Sequence, residues 1–226
     1  MNKIKILIAA LVAVMLFTSA VGCAQEGDTL VPDPRNWHAL SSLQEGVEPK
    51  VVSWSAPPNI QIDVTKSYKA VFDTSLGSFE IELFAAESPL TVNNFIFLAR
   101  NEYYDDTVFH RVVKEFVIQG GSRGLNSPGY TFADELPVQH LYEAGIVAMA
   151  NSGENTNSSQ FFVCTGSLSS SLNNKPNYSQ FGRITSGMDT VLKIAAVAVG
   201  LNSDLNELSR PLNPPRINKV TIFEAD

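Results

Sequence analysis

Apolar and polar residues alternate along several short segments of this chain, which predicts a mainly β protein. Two such segments, at 69–73 and 79–84, are joined by Ser75-Leu76-Gly77, a typical β-hairpin connection. The same pattern predicts further short strands at 108–113, 116–119, 146–149, 160–164 and 217–223.

Apolar residues at helical spacing predict two helices between these strands. Ser88-Pro89 fits an N-cap followed by proline at the first helical position. One helical face then carries Val92, Phe95, Ile96 and Ala99. The buried side of a second helix, over 188–196, is predicted to carry Met188, Val191, Leu192 and Ala195. Many short strands with two helices are typical of an antiparallel barrel or sandwich.

Residues 1–22 predict a secretory signal peptide rather than a part of the fold. A short basic start is followed by an almost entirely apolar run from position 6 to position 20, and small residues then lead into Cys23. The apolar run is short for a membrane-spanning helix, which needs about 20 residues.

The segment Ala20-Val21-Gly22-Cys23 resembles the lipobox of bacterial lipoproteins, in which the cysteine is acylated and becomes the mature N-terminus. We therefore expect an exported protein that is lipid-anchored to the membrane through Cys23 and faces the extracytoplasmic side. An ordinary cleaved signal with an incidental cysteine and a retained membrane anchor are the alternatives.

Residues 23–66 are expected to be the lipidated N-terminus and a linker, followed by one domain over residues 67–226. Prolines separated by polar residues recur in this linker, which is typical of a tether. Trp37 and Trp54 are unusual there, because disordered segments seldom carry tryptophan, and they favour packing of part of the stretch on the domain.

Charge and residue usage exclude several classes of function. The net charge is −7, and no lysine-arginine cluster follows the signal, which argues against nucleic-acid binding. His38, His110 and His140 lack metal-ligand spacing, so we expect neither a metal site nor a cofactor. Cys164 lies on a predicted core strand, where a buried inert thiol is expected rather than a nucleophile.

Two stretches, 109–121 and 149–162, carry most of the chemical information. Each places an arginine or uncharged amides between aromatic and aliphatic residues, on what the alternation predicts to be a solvent-facing side of a strand. Phenylalanines beside Arg111, Gln119 and Asn151 predict a shallow apolar pocket rimmed by hydrogen-bond donors. Such a pocket suits a neutral peptide better than a phosphate, a metal or a charged cofactor.

The two stretches resemble the signature segments of the cyclophilin family of peptidyl-prolyl cis-trans isomerases. The resemblance runs from about Tyr68 to the C-terminus and includes positions 74–84, 89–95, 128–135 and 181–182. It implies a closed eight-stranded antiparallel β-barrel with two capping helices. Side chains fill the interior of such a barrel, so the site is expected on its outer surface. The implied partners are proline-containing peptides and unfolded exported proteins, bound by a monomer.

The resemblance places Arg111 at the catalytic centre, where its guanidinium would stabilise a twisted X-Pro amide. Gln119 would hold the arginine and contact the substrate backbone, and Phe116 belongs to the same catalytic group. The alternative from the residues alone is that Arg111 is a surface side chain in an ion pair.

Further residues are expected to bind the peptide. The proline ring would enter an apolar slot formed by Phe116, Val117, Phe162 and Leu172. Asn151 would pair with the peptide through its backbone. The neighbouring groove would be lined by Ala150, Ser152 and Gln160, with Tyr178 near the position of a family histidine.

The chain also departs from the family pattern. Val117 stands where many members have methionine, and the loop 122–127 is shorter than usual and lacks its acidic residue. The segment 168–178 is longer than usual and has neither tryptophan nor histidine, and Ser171 falls near the tryptophan position. We therefore expect altered substrate preference and at most weak cyclosporin binding.

Two functions remain open at this point. The favoured one is a lipid-anchored isomerase that accelerates X-Pro isomerisation in exported proteins, and Arg111, Gln119 and Phe162 support it. The alternative is a membrane-tethered module or holdase that binds proline-containing segments with little turnover, for which the altered segment 168–178 leaves room.

Overall fold

The structure is a computed structural model that describes residues 37–40, 52–123 and 127–226. The predicted signal peptide, Cys23, most of the predicted linker and loop residues 124–126 lie outside the described residues.

The described chain is mainly β, as predicted, with two α-helices and a 3-10 helix. The strands are β1 His38–Ala39, β2 Ser67–Thr74, β3 Gly77–Leu83, β4 Thr107–Val108, β5 Arg111–Val113, β6 Val117–Gly120, β7 Ile146–Met149, β8 Phe161–Cys164, β9 Gln180–Ser186, β10 Val199–Asn202, β11 Glu207–Pro211 and β12 Arg216–Ala225. The helices are α1 Pro89–Arg100 and α2 Met188–Ala195, and the 3-10 helix spans Ser167–Asn174.

Antiparallel pairing joins ten of these strands into one sheet in the order β1-β12-β2-β3-β9-β7-β8-β6-β5, with β4 attached to β12. Strands β10 and β11 form a separate hairpin. Phe109, between β4 and β5, links the β5 side of the sheet to the segment before β12, because its backbone N–H donates to Pro215 O at 2.9 Å. The described ladder does not itself close, and the closed eight-stranded barrel stays a prediction.

The core lies on one face of this sheet and is rich in aromatic rings. Phe72 and Phe79, which are cross-strand partners on β2 and β3, stack with their centroids 4.7 Å apart. Phe95 of α1 and Phe161 of β8 meet the same cluster, and all four side chains are almost fully buried. Paired aromatic side chains of this kind stabilise a sheet beyond the area that they bury.

Helix α1 begins as predicted, with Ser88 as N-cap and Pro89 in the first turn. The cap itself is different from the usual one, because Ser88 Oγ donates to Gln180 O instead of accepting from the helix. The carboxylate of Glu135 takes that role, since it accepts from the backbone N–H groups of Leu90 and Thr91 at 2.9 and 2.8 Å. The predicted buried face of α1 is confirmed.

Three sequence-based expectations need correction. The predicted strand at 108–113 is divided into β4 and β5 by Phe109 and His110. In α2, Leu192 is exposed and Ile194 is buried, so the buried stripe is rotated from the predicted one. Phe109 and Phe161 lie in the core rather than on a solvent-facing side of their strands.

Part of the predicted linker packs on the domain. The Trp54 ring meets Phe97 of α1 edge-on, with centroids 5.1 Å apart, and its backbone N–H donates to Pro128 O at 2.7 Å. Gly129 has a φ of +89°, and a Cβ there would lie 2.4 Å from Trp54 O, so the close approach requires glycine. Residues 52–66 are therefore attached to the domain, in agreement with the presence of tryptophan in this stretch.

The sheet also carries apolar side chains on its outer face. The main core takes Val112, Ile118 and Phe161, whereas a second cluster on the opposite face contains Val117, Ala148 and Phe162. Adjacent residues on a strand point to opposite faces, so each short strand here is apolar on both sides. The second cluster is the floor of the candidate site.

Candidate active site

A single row of cross-strand partners organises the site. Arg111 on β5 pairs with Gln119 on β6, Gln119 pairs with Phe162 on β8, and Phe162 pairs with Ala148 on β7. Directly paired residues of antiparallel strands share a face, so these side chains point to the same side of the sheet. Two strand spacings separate the backbones of Arg111 and Phe162 by roughly 10 Å.

Arg111 lies at one end of this row and is held by three neighbours. Its Nε donates to Glu207 Oε2 at 2.8 Å and its Nη2 donates to Glu207 Oε1 at 3.0 Å, which is a bidentate pair. Its Nη1 donates to Gln119 Oε1 at 3.3 Å, and its guanidinium carbon lies 5.9 Å from the centroid of the Phe116 ring. The ion pair that the sequence left as an alternative is therefore present, within the candidate site.

Gln119 links the arginine to the next strand. Its Oε1 accepts from Arg111, and its Nε2 donates to Gln160 Oε1 at 3.0 Å, so the amide orientation is set from both sides.

Burial lowers the pKa of His110, the neighbour of Arg111, so its ring is neutral at neutral pH. His110 therefore adds no second positive charge beside Arg111.

The expected slot residues come together beside Phe162. Its side chain is only 5 % exposed, and Tyr178 meets its ring edge-on with centroids 5.4 Å apart. Val117 is buried in the same cluster, and the half-buried Phe116 and Leu172 pack against it. The structure therefore brings the four predicted slot residues together from strands β6 and β8, the turn before β6 and the 3-10 helix.

The backbone of Tyr178 is held by two hydrogen bonds with the Tyr142 hydroxyl. Its N–H donates to the Tyr142 hydroxyl at 3.1 Å, and that hydroxyl donates to Tyr178 O at 2.6 Å. Burial raises the pKa of Tyr178, and the nearby charge of Arg111 opposes the shift. The phenol therefore keeps its proton at neutral pH and can act as a hydrogen-bond donor.

The remaining groove residues lie at the other end of the row. Ala150 follows β7, and its N–H donates to Gln160 O at 2.9 Å. Asn151 Nδ2 donates to Asn177 O at 3.0 Å, which ties this turn to the segment before Tyr178. Ser152 is exposed, and its backbone N–H donates to Thr156 Oγ1 within the same turn.

The two departures from the family pattern have different structural consequences. The segment 168–178 contains most of the 3-10 helix, in which Leu172 turns toward the slot while Ser171 is exposed and donates to Leu168 O. The loop 122–127 contains Arg123, whose guanidinium donates to three backbone carbonyls, among them Tyr103 O at 3.0 Å. Residues 124–126 of that loop lie outside the described residues.

Glu207 is the site residue that sequence reasoning missed. It is 96 positions from Arg111, on a hairpin that the alternation did not predict. Leu201 and Leu208 are cross-strand partners on that hairpin and are 59 % and 67 % exposed. The apolar residues of this hairpin therefore face solvent, so they do not indicate which side packs on the domain. No pairing rule read from sequence would have joined this carboxylate to Arg111.

Other chemistry is not evident in the described parts of the chain. Across residues 37–40, 52–123 and 127–226, no group of three or more histidine, cysteine, aspartate or glutamate side chains is arranged to hold a metal ion. No helix in those ranges is both long and apolar enough to cross a membrane. Cys164 is buried, and burial raises the pKa of its thiol to about 12, which makes it inert.

Comparison with known families gives one consistent match. A family model described as "Cyclophilin type peptidyl-prolyl cis-trans isomerase/CLD" matches residues 69–222. The chain is 39% identical over 163 residues to "Peptidyl-prolyl cis-trans isomerase-like 1" of Gibberella zeae, covering 69% of this chain and 95% of that protein. It is 37% identical over 163 residues to "Peptidyl-prolyl cis-trans isomerase CYP18-2" of Arabidopsis thaliana, covering 69% of this chain and 94% of that protein.

A solved structure gives the same result. A cyclophilin-type peptidyl-prolyl cis-trans isomerase of Cryptosporidium parvum superposes with a TM-score of 0.61 at 29% sequence identity, covering 69% of this chain and 97% of that one. A second structure of it, in the presence of the dipeptide Ala-Pro, superposes with a TM-score of 0.60 at 29% identity, covering 68% and 98% of the two chains.

Proposed function

This chain belongs to the cyclophilin-type family of peptidyl-prolyl cis-trans isomerases and is an enzyme of that class, and we propose that it accelerates X-Pro isomerisation with Arg111 as its catalytic residue. The observation that carries the proposal is the row Arg111, Gln119 and Phe162, which puts a fixed cation and an apolar cluster on one face of the sheet. A peptide laid along this row meets the cation and the slot together.

The reaction makes and breaks no covalent bond. The barrier of about 20 kcal/mol comes from the partial double-bond character of the amide C–N bond, so the catalyst must favour the twisted amide over the planar one. In the twisted state the proline nitrogen regains a lone pair and accepts a hydrogen bond. A guanidinium donor near that nitrogen stabilises the twisted state selectively, because the planar amide offers no such lone pair.

The slot supplies the orientation. A proline ring against Phe162, with Val117 below and Phe116 and Leu172 beside it, buries apolar area without a polar group left unpaired. Phe116 also lies against the Arg111 guanidinium, so the slot and the cation share a wall. The seated ring therefore has its nitrogen on the side of Arg111.

The amides fix the rest of the peptide. Gln119, held between Arg111 and Gln160, is placed to contact the substrate backbone, and the turn at Ala150 and Asn151 offers main-chain groups to an extended peptide. Short proline-containing peptides are the proposed ligands, and the Cryptosporidium parvum relative crystallised in the presence of Ala-Pro supports this class. No cofactor takes part in the proposed mechanism.

The wider setting is also a proposal. The signal-like residues 1–22 and the lipobox-like run into Cys23 support an exported, lipid-anchored enzyme whose clients are unfolded exported proteins. The relatives compared above come from a fungus and a plant, so the anchor rests on this chain's own sequence. Closure of the sheet into a barrel is supported by the contact of Phe109 with Pro215.

The test is an NMR exchange measurement on an Ala-Pro peptide, which reports cis-trans exchange and peptide affinity separately. Arg111→Ala is expected to lower the exchange rate by roughly 10- to 100-fold, since a hydrogen bond to a charged donor contributes about 1.5–3 kcal/mol. Arg111→Lys should recover little, because a point charge does not reproduce the planar donor set.

Arg210→Ala is the matched control, because this exposed arginine lies on the hairpin that carries Glu207 and points away from the site. It should leave exchange unchanged. Normal exchange in folded Arg111→Ala would remove Arg111 from the mechanism. A wild-type chain that binds the peptide without accelerating exchange would favour the tethered binding module.

A further inference from the structure

Glu207 contacts Arg111 from an element that is not part of the main sheet. It begins β11, where it pairs with Asn202 of β10. The bidentate contact uses both carboxylate oxygens, and the side chains of Arg111 and Glu207 are 18 % and 28 % exposed. This is a partly buried, geometrically defined pair rather than a loose surface contact.

The hairpin backbone holds the carboxylate in place. Ser209 and Pro211 lie on the same side of β11 as Glu207 and are buried, whereas Leu208 and Arg210 point to solvent. The hairpin is closed at its base by a hydrogen bond from Leu212 N to Ala198 O at 2.9 Å. The Glu207 carboxylate is therefore held against Arg111 by a strand whose same-side neighbours are buried.

The pair leaves part of the guanidinium free for substrate. An arginine carries five N–H donors, and Glu207 uses two while Gln119 uses one. Glu207 occupies the edge formed by Nε and Nη2, and Nη1 is the nitrogen that meets Gln119, the partner of Phe162 on the next strand. One N–H on Nη1 and one on Nη2 thus remain available for a peptide bound beside Gln119.

We propose that Glu207 is a positioning residue for Arg111, holding the plane and the free end of the guanidinium where the twisted amide forms. The inference rests on the proposed isomerase function. Catalysis by a fixed donor depends on preorganisation, and a misplacement of about 1 Å in such a group costs up to about 100-fold in rate. The nearby Phe116 ring covers one face of the guanidinium, and the bidentate contact with Glu207 constrains its rotation.

The Glu207 carboxylate is ionised at neutral pH. Burial alone would raise the pKa of Glu207, but the hydrogen bonds that it accepts, chiefly from Arg111, outweigh burial and hold the pKa below its ordinary value. A depressed pKa means that the pair is fully formed above the ordinary glutamate pKa of about 4.3 and is lost as the pH falls through the lower folded-state value. Turnover should therefore fall as the Arg111–Glu207 pair is lost at acid pH.

The test compares Glu207→Ala, Glu207→Gln and Glu207→Asp with Asp204→Asn as the matched control. Asp204 is exposed on the same hairpin, so its substitution removes a negative charge without touching Arg111. NMR exchange on an Ala-Pro peptide gives turnover and affinity separately, and the ¹⁵N-detected Arg111 Nε–H signal reports the order of the guanidinium. Thermal melting identifies any variant that fails to fold.

Positioning predicts about 10-fold slower exchange in Glu207→Ala, with peptide affinity within about twofold and a mobile Arg111 Nε–H. Glu207→Asp, the conservative variant, should recover more turnover than Glu207→Gln because it keeps the charge. The fall in turnover at acid pH should be absent from the pH profile of Glu207→Ala. The exchange rate and pH profile of Asp204→Asn should match those of the wild type.

Two other results are informative. Exchange in folded Glu207→Ala that equals or exceeds the wild-type rate would overturn the inference and leave the isomerase intact. An inactive wild type would instead overturn the proposed function, on which the inference depends.

Discussion

Arg111 shows how a residue can fit two sequence interpretations at once. Alone it could be a surface arginine in an ion pair, and beside Phe116 and Gln119 it could be a catalytic donor. The structure gives it both kinds of neighbour, because Glu207 and Gln119 bind different nitrogens of one guanidinium. At the scale of one residue, an ion pair and a functional role are compatible when donors remain for a ligand.

The slot residue Phe162 leads to a prediction about affinity rather than turnover. Phe162→Ala should weaken peptide binding by about tenfold, because the proline ring loses an apolar wall worth roughly 1.5–3 kcal/mol. Peptide titration by NMR checks this, with Leu208→Ala, a change at an exposed leucine outside the slot, as control. Unchanged affinity in a folded Phe162→Ala variant would place the proline elsewhere.

At the scale of elements, the apolar pattern predicted most strands of the main sheet, including β7 and β8, which are buried on both sides, and missed β9 and the β10–β11 hairpin. Strands β2, β3, β7 and β12 and helix α1 follow their patterns closely. Strand β9 was not predicted because Gly182 interrupts its apolar pattern. Glycine is needed at this position, since a Cβ there would lie 2.5 Å from Glu82 O. The β10–β11 hairpin was not predicted because its leucines face solvent.

The same limit applies to the candidate site. The two signature stretches, 109–121 and 149–162, contain Arg111, Phe116, Val117, Gln119 and Phe162, so sequence resemblance located all five. The carboxylate on Arg111 came from a distant hairpin. Contacts between elements depend on tertiary packing, which the periodicity of one element does not encode.

The N-terminal segment supplies a prediction at the element scale. Trp54 packs on Phe97 of α1 and lies near Tyr103, so residues 52–66 should add to the stability of the domain. Trp54→Ala is expected to lower the free energy of unfolding by roughly 1–3 kcal/mol, less than a fully buried tryptophan costs. Urea unfolding followed by circular dichroism measures the change.

Ile60→Ala is a suitable control for that experiment. Ile60 lies in the same segment but is 48 % exposed, so its truncation should cost little. If the Trp54→Ala and Ile60→Ala variants unfold at the same urea concentration as the wild type, the segment is a tether that merely rests on the domain, and the domain boundary belongs at residue 67.

At the scale of the whole molecule, the charge and the N-terminus point to the same arrangement. A protein with a net charge of −7 gains no electrostatic attraction to anionic lipid headgroups, so any stable membrane association needs an apolar anchor. The segment Ala20-Val21-Gly22-Cys23 offers one through acylation. In the sequence, residues 24–37 would separate it from β1, which pairs with β12.

The anchor prediction is tested in a bacterial host that processes lipoproteins. The wild-type protein should partition into detergent and carry a lipid-sized mass on Cys23, because more than one acyl chain is needed for stable attachment. Cys23→Ala should abolish the added mass and the partitioning, whereas Cys164→Ala should change neither, since Cys164 is buried in the domain. A mature wild-type protein that begins beyond Cys23 without modification would contradict the anchor and leave the isomerase site unaffected, because Arg111 and its neighbours lie wholly within the described domain.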